Sequence, residues 1–315
     1  MDFFCRRLGI ALLTMLLASL LTFCVFRSIP GDPVTMALGV TATEEQRDAL
    51  RADLGLDRSL PVQYLSWLRG FLTGSPARSI RFQSVSVADL LLERLPVTGA
   101  LAGLSLLLII LIAVPLALLS ALKEHSAMDR LVNALSAVTI AVPGFFLGIL
   151  FVWVFAGFFR LFTPGSYVSY KESAAGFLGC LFLPSLAVAL PNAAMALQFL
   201  RSSIKAEMRS AYVRTAYGKG ASTGAVLCRH VLKNAAAPAV TLLGMIIGDI
   251  FSGSIVIEQV FSIPGLGRLL IASVVSRDYP LAQTLAAYAA FIMVMANTVS
   301  DMAVRLIDPR VRERR

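Results

Sequence analysis

The chain has 315 residues, of which 57% are hydrophobic and 15% charged, and its mean hydropathy is +0.77. That balance excludes an ordinary soluble domain of this length. The net charge of +9 raises nucleic acid as a partner, but no basic groove interleaved with aromatics supports that class, and the charge reads instead as a bilayer-orientation signal.

Charged residues cluster and leave uncharged stretches at 8–26, 95–122, 131–159, 173–200 and 279–300. A helix of about 20 residues crosses about 30 Å of hydrocarbon, so each stretch is long enough to span. A sixth, 235–257, is interrupted by Asp249. The expected fold is therefore all-α: a polytopic membrane protein with six transmembrane helices. The first stretch is too long for a signal-peptide core, and Phe26-Arg27-Ser28-Ile29-Pro30 is no cleavage site of small residues, so it reads as a retained helix.

Residues 30–95 follow as an outer soluble and interfacial segment. Ser28-Ile29-Pro30-Gly31-Asp32-Pro33 stops the first helix, because proline lacks an N–H and disfavours helix before it. Thr43-Glu44-Glu45-Gln46 fits a capping box and Gly55 a C-terminal stop, which predicts a short helix over 44–54. Leu65, Leu68 and Leu72 space a second helix, expected on the membrane surface with Tyr64 and Trp67 at the interface. Val87, Leu90, Leu91 and Leu95 share a helical face, read either as an interfacial helix or as the start of the second span.

Residues 96–309 hold a core of five membrane helices and 310–315 a tail. Pro115, Pro143, Pro184 and Pro191 fall inside apolar runs, where kinked helices survive if neighbours satisfy the freed carbonyls. Gly244 and Gly248 form a GxxxG step that permits close helix contact. After Glu258, the turn Ile263-Pro264-Gly265-Leu266-Gly267 precedes an apolar stretch too short to cross, expected to fold back over the outer mouth. With the N-terminus inside, residues 1–7, 123–130, 201–233 and the tail from Asp301 lie on the cytoplasmic side and carry the whole positive excess, so both termini are expected there.

The chemistry of catalysis is missing. Gly218-Lys219-Gly220 resembles a fragment of a phosphate-binding loop, but that pattern needs Gly at 213 and Ser or Thr at 220, where this chain has Val213 and Gly220. His125 and His230 are far apart, no metal-ligand spacing occurs, and no nucleophile–His–acid trio can be argued. The four cysteines, Cys5, Cys24, Cys180 and Cys228, have no CxxC spacing and read as packing residues. Two acids sit in or near a span. Glu258 lies at its outer end, close to headgroup water. Asp249 lies deep, and either lines a water-filled path or hydrogen-bonds a neighbouring helix.

The loop 201–233, between the fourth and fifth spans, carries Arg201, Lys205, Arg209, Arg214, Lys219, Arg229 and Lys233 against one acid, Glu207. Residues 202–218 are mostly helix-compatible, Gly218 and Gly220 break the helix, and Ser222 can cap a new one that continues into the next span. The result is a rigid knob whose small bend residues admit another protein and whose Arg214 and Lys219 suit an acidic groove.

At this loop the chain resembles the permease subunits of ATP-binding-cassette importers, whose signature is Glu-Ala-Ala, three residues, then Gly. The aligned residues here are Arg214, Thr215, Ala216 and Gly220, and the run Tyr212 to Gly220 is similar to the variant of the dipeptide, oligopeptide and nickel branch. The segments SIPGDPVTMALG, RHVLKNAAAP, VIEQVFSIPGLGRLL, SRDYP and DPRVR resemble that branch in the expected order, whereas LTGSPARSI departs from its more acidic, Gly-rich form.

The resemblance implies half of a translocation pore in a bacterial inner membrane, paired with a second permease subunit, two cytoplasmic ATPase subunits and an extracytoplasmic solute-binding protein. Tyr212, Arg214, Thr215, Ala216, Gly218, Lys219 and Gly220 would couple to an ATPase. ATP and Mg would bind the partners, and this chain would hold no cofactor. The implied cargo is a di- or oligopeptide, with nickel or a metal chelate as the alternative. A stand-alone secondary transporter or channel is the competing class; it predicts inverted repeats and more midplane charge than Asp249.

Overall fold

The computed structural model describes residues 2–29, 33–39, 42–73, 79 and 85–307. The departing outer stretch LTGSPARSI and the tail from Asp308 therefore lie largely or wholly outside the described residues. The elements are helical: α1 (Asp2–Ser28), α2 (Pro33–Leu38), α3 (Glu44–Asp53), α4 (Leu60–Thr73), α5 (Val87–Leu122), α6 (Ala127–Ala141), α7 (Gly144–Phe151), α8 (Ala174–Met208), α9 (Ala211–Gly218), α10 (Thr223–Val226), α11 (Leu232–Val260), α12 (Leu266–Val275) and α13 (Tyr279–Ile307). Four of them, at Cys5–Ser28, Val87–Leu122, Ala174–Met208 and Tyr279–Met302, are long and apolar enough to cross a membrane. The chain divides into two units, residues 1–99 with 264–295 and residues 100–263 with 296–315.

In the first unit, α3 begins with the predicted capping box. The Gln46 amide donates to Thr43 Oγ1 at 3.3 Å, and the Thr43 amide donates to Gln46 Oε1 at 3.1 Å. Gly55 follows at φ +64°, the left-handed position that stops a helix.

Helix α4 differs from the expectation. Its aromatic face packs on spanning helices: the Tyr64 hydroxyl is 2.9 Å from Ser19 Oγ, its ring meets Phe23 edge-on, and Phe71 lies 4.5 Å from the ring of Tyr288. Ser19 is about 12 Å along α1 from Arg27, well below the helix end. Leu65 and Leu72 face outward instead, while Leu68 is half-buried. In lipid an outward leucine costs nothing, whereas a Tyr hydroxyl and a Trp N–H need partners; Trp67 donates to Thr284 Oγ1 at 3.3 Å.

Residues 87–95 turn out to be the first turns of α5, whose 36 residues run unbroken through Pro96 and Pro115. Val87, Leu90 and Leu91 bury against Leu269 of α12 and Leu281 and Leu285 of α13. Helix α12 is the short apolar helix expected after the Pro264-Gly265 turn, and its first amide, Leu266, donates to Thr98 Oγ1 at 2.8 Å.

In the second unit α8 is central, flanked by α6, α7 and α11. Here the uncharged stretch 131–159 is not one straight span. It breaks at Pro143 into α6 and a helix formed by α7 and a π-helical continuation, Val152–Phe158, bent by 97°. The cause is local: the residue before a proline avoids the helical region, and Val142 sits at φ −94°, ψ 120°. Glycines let α7 lie close after the bend. A Cβ on Gly148 would stand 2.6 Å from Ile257 Cδ1 of α11, and one on Gly144 would stand 3.3 Å from the carbonyl of Ala187, which Pro191 deprives of its helical donor. Pro184 and Pro191 are absorbed within α8 without ending it. On α11, a Cβ on Gly244 would stand 3.1 Å from Asn297 and Ser300 of α13, so the first glycine of the GxxxG step marks a close helix crossing.

Candidate functional site

The basic loop 201–233 forms the helix, turn and helix that its residues predict. Helix α8 continues past Leu200 to Met208, and Ser210, with extended backbone at ψ 156°, starts α9. One side of α9 is anchored. Val213 is 1% exposed, and with Ala117, Val132, Ile204, Leu227 and Val231 it belongs to one buried cluster. Burying a valine contributes about 1.5–3 kcal/mol, enough to hold an eight-residue helix that would not persist alone. Tyr212 and Ala216 rest half-buried on the same cluster, and the Tyr212 hydroxyl donates to Glu207 Oε2 at 2.7 Å.

The other side is bare. Arg214, Thr215, Tyr217, Gly218, Lys219 and Gly220 are all exposed. The structure thus divides the seven residues singled out in the sequence. Arg214, Thr215, Gly218, Lys219 and Gly220 present an outward surface, while Tyr212 and Ala216 fix α9 to its own subunit.

The end of α9 is geometrically strict. The Gly220 amide donates to Tyr217 O at 2.9 Å and the Ala221 amide to Ala216 O at 3.2 Å, the two reversed bonds of a Schellman stop. That stop requires a left-handed residue, and Gly220 sits at φ +82°. Two residues on, Ser222 Oγ accepts from the Ala225 amide at 3.4 Å and caps α10, which runs through a π-helical turn, Leu227–Val231, into α11. Gly218 differs from Gly220: it is helical, and nothing lies within 4 Å of where its Cβ would be.

The root of the knob is held by a polar cluster that sequence reading missed. Asp129, 4% exposed at the start of α6, receives Arg201 of α8 through Nη2 at 2.8 Å and Nε at 3.0 Å. Ser120 Oγ also donates to it, as do the His125 amide at 3.2 Å and Asn133 Nδ2 at 3.0 Å, while Gln198 Nε2 donates to Asn133 Oδ1 at 3.1 Å. One turn beyond Arg201, Lys205 Nζ lies 2.7 Å from Glu124 Oε1. That ammonium, hydrogen-bonded to Glu124, holds its carboxyl below the ordinary carboxylate range. Asp129 and Arg201 are 72 residues apart in sequence, so only the fold reveals the pair.

The two acids of α11 part ways. Glu258, expected near headgroup water, is instead 0% exposed. Asp249 is exposed, and no described residue hydrogen-bonds or ion-pairs with its carboxylate. Its sequence-derived alternatives narrow accordingly, since the hydrogen bond to a neighbouring helix is not formed within the described chain. A bare carboxylate at membrane depth costs about 2.5–3.5 kcal/mol on insertion scales, so this exposure needs a reason.

At the far end of α8 from the loop, a cavity of about 350 Å³ is lined mainly by apolar and aromatic residues, among them Phe155, Phe162, Tyr167, Phe182 and Phe261. Among the described residues, no group of three or more His, Cys, Asp or Glu is placed to hold a metal ion.

Comparisons with known proteins show the family. Residues 113–313 match the family described as binding-protein-dependent transport system inner membrane component, and residues 1–102 match the N-terminal family of the same membrane components. The chain is 34% identical over 307 residues to a probable peptide ABC transporter permease protein of Sinorhizobium fredii, covering 98% of each chain. It is 34% identical over 307 residues to a putative peptide transport system permease protein of Brucella abortus, again with 98% of each chain covered. It is 30% identical over 308 residues to the oligopeptide transport system permease protein AppB of Bacillus subtilis, covering 97% of this chain and 98% of that one. A multi-pass membrane protein with a helical knob in its basic loop, this chain belongs to the family of binding-protein-dependent transport system inner membrane components.

Proposed function

We propose that this chain is one permease subunit of an ATP-driven importer and forms half of a translocation pore for di- or oligopeptides. The observation that carries the reading is the two-sidedness of α9: Val213, Tyr212 and Ala216 fasten it to the bundle, while Arg214, Thr215, Gly218 and Lys219 are left bare. A surface helix held this firmly, yet showing cations and glycine outward, is built to be gripped by a second protein. A cytoplasmic ATPase subunit with an acidic groove fits that face. ATP and Mg belong on two such ATPases, and a second permease completes the pore. An extracytoplasmic binding protein delivers the cargo. The peptide class is supported by the relatives, which are named for peptides or oligopeptides.

In this arrangement six segments cross: α1, α5, the bent α6–α7 pair, α8, α11 and α13. Helix α11, with 29 residues, is about 43 Å long, more than the hydrocarbon thickness. Both termini and the knob lie on the cytoplasmic side, where the basic residues collect. Closure of the ATPase pair moves α9, and because Val213 of α9 shares one buried cluster with residues of α5, α6, α8 and α11, the motion passes to the spans. Linkage requires the converse: a loaded binding protein outside biases the ATPases toward closure. Asp249 lines the path.

Reconstitution tests the reading. With a second permease, ATPases and a loaded binding protein, liposomes should accumulate a labelled tripeptide only when ATP is present on the ATPase side. The chain alone should pass none, and uptake by the chain alone would replace this reading with that of a stand-alone transporter.

A further inference from the structure

From Gly244 to Val260 the exposed residues of α11 form one stripe. Met245, Asp249, Ser252, Val256 and Gln259 are exposed, and steps of four and three residues keep all five on one side of the helix. The opposite face is closed: Ile246, Ile250, Ser254 and Ile257 are each 1% exposed and Glu258 is 0%. A face turned to lipid has no use for a carboxylate, an amide and a hydroxyl at successive turns. A face turned to a tightly packed subunit would need a partner for each of them. Water satisfies all three without either.

We infer that this stripe is a wall of the water-filled path, and that Asp249 makes the path select for cargo carrying a positive group, the α-ammonium of a peptide or a basic side chain. The inference rests on the permease reading and adds a charge preference to it. Asp249 lies 16 residues beyond Lys233, about 24 Å along the helix, and no described residue neutralises it. In a narrow path bounded by apolar walls its field is screened far less than at an open surface. The described acids of this helix otherwise amount to Glu258, which is buried, so the stripe offers a single charge. One carboxylate attracts a cation into the path and is weak enough to release it, the balance that passage requires. Met245 and Val256 on either side supply apolar contact for cargo side chains of varied shape.

The test uses the assembled transporter with Cys5, Cys24, Cys180 and Cys228 replaced by serine or alanine. Single cysteines are then placed on the stripe (Met245→Cys, Ser252→Cys, Val256→Cys) and off it (Ile246→Cys, Ile250→Cys, Ile257→Cys). Each is exposed to membrane-impermeant thiol reagents of equal size, one cationic and one anionic. The stripe positions should react and the off-stripe positions should not. At Ser252→Cys, adding Asp249→Asn should lower the cation-to-anion rate ratio on the order of tenfold. A stripe no more reactive than the controls would overturn the inference, as would a ratio indifferent to Asp249→Asn. Binding-protein-stimulated ATP hydrolysis, measured in the same preparations, separates the two levels. Normal stimulation with an unreactive stripe sinks the path wall alone, whereas no stimulation in the unmodified transporter sinks the permease reading beneath it.

Discussion

Arg201 grips Asp129 with two nitrogens, Nη2 at 2.8 and 2.9 Å from the two carboxylate oxygens and Nε at 3.0 Å, across 72 residues of sequence. This fork ties the end of α8, just before the knob, to the start of α6. Planar two-pronged pairs of this kind resist rotation, so α8 and α6 are joined as one rigid piece beside α9, where the proposed coupling motion would enter the bundle.

Removing one member should be costly, because it leaves the other charge buried and unpaired. Arg201→Met should destabilise the subunit by about 3–5 kcal/mol. Thermal unfolding in detergent should show a marked loss for Arg201→Met and for Asp129→Leu, and the double variant should lose clearly less than the two combined. Additive losses would mean that the two residues act separately.

The second tie, between Lys205 and Glu124, should depend on pH in a defined sense. The folded carboxyl of Glu124 titrates below its ordinary value of 4.5 because Lys205 hydrogen-bonds it. A depressed carboxylate contributes stability above the unfolded value and loses it as pH falls through the folded one. Comparison of the chain with Lys205→Met should therefore show a constant small difference at neutral pH that vanishes on acidification below pH 4.5. Glu124 is half-exposed, so added salt should shrink the difference throughout.

Much of this was legible in the chain because membrane spans and helix stops are local. Thr43 and Gln46 announce a cap, Gly220 a left-handed stop, and Ser222 a new start, and each is where its spacing places it. What escaped was set by partners distant in sequence or by the direction of the oily side. Leu65 and Leu72 of α4 turn outward, and Tyr64 and Trp67, expected at the membrane interface, find their partners on α1 and α13. Pro143 was visible, but not that its bend would reach 97°, since Pro184 and Pro191 leave α8 whole. The Arg201–Asp129 fork was hidden for the same reason, as each residue alone looks like one more loop charge.

Close helix contact at Gly148 should be intolerant of size. A Cβ there already falls 2.6 Å from Ile257 Cδ1, and Ile257 is 1% exposed with little room to yield. Gly148→Leu should cost on the order of 1–3 kcal/mol or more through overpacking, read as reduced yield of monodisperse protein and a lower unfolding temperature. Gly148→Ala should be milder, since Ile257 then moves only its terminal methyl.

The two glycines of the knob should respond differently. Gly220→Ala forces a side chain into a left-handed backbone, costing about 1 kcal/mol locally by strain at φ +82°. Unfolding should report that loss. Gly218→Leu meets open space within its own subunit and replaces glycine with a good helix former, so stability should hold or rise.

Gly218→Leu is therefore the sharpest probe of the coupling surface. In the assembled importer, with subunit stoichiometry verified, binding-protein-stimulated ATP hydrolysis should fall at least tenfold while unfolding temperature does not fall and membrane insertion stays unchanged. Full stimulation in that variant would contradict the assignment of α9 as the element the ATPase grips.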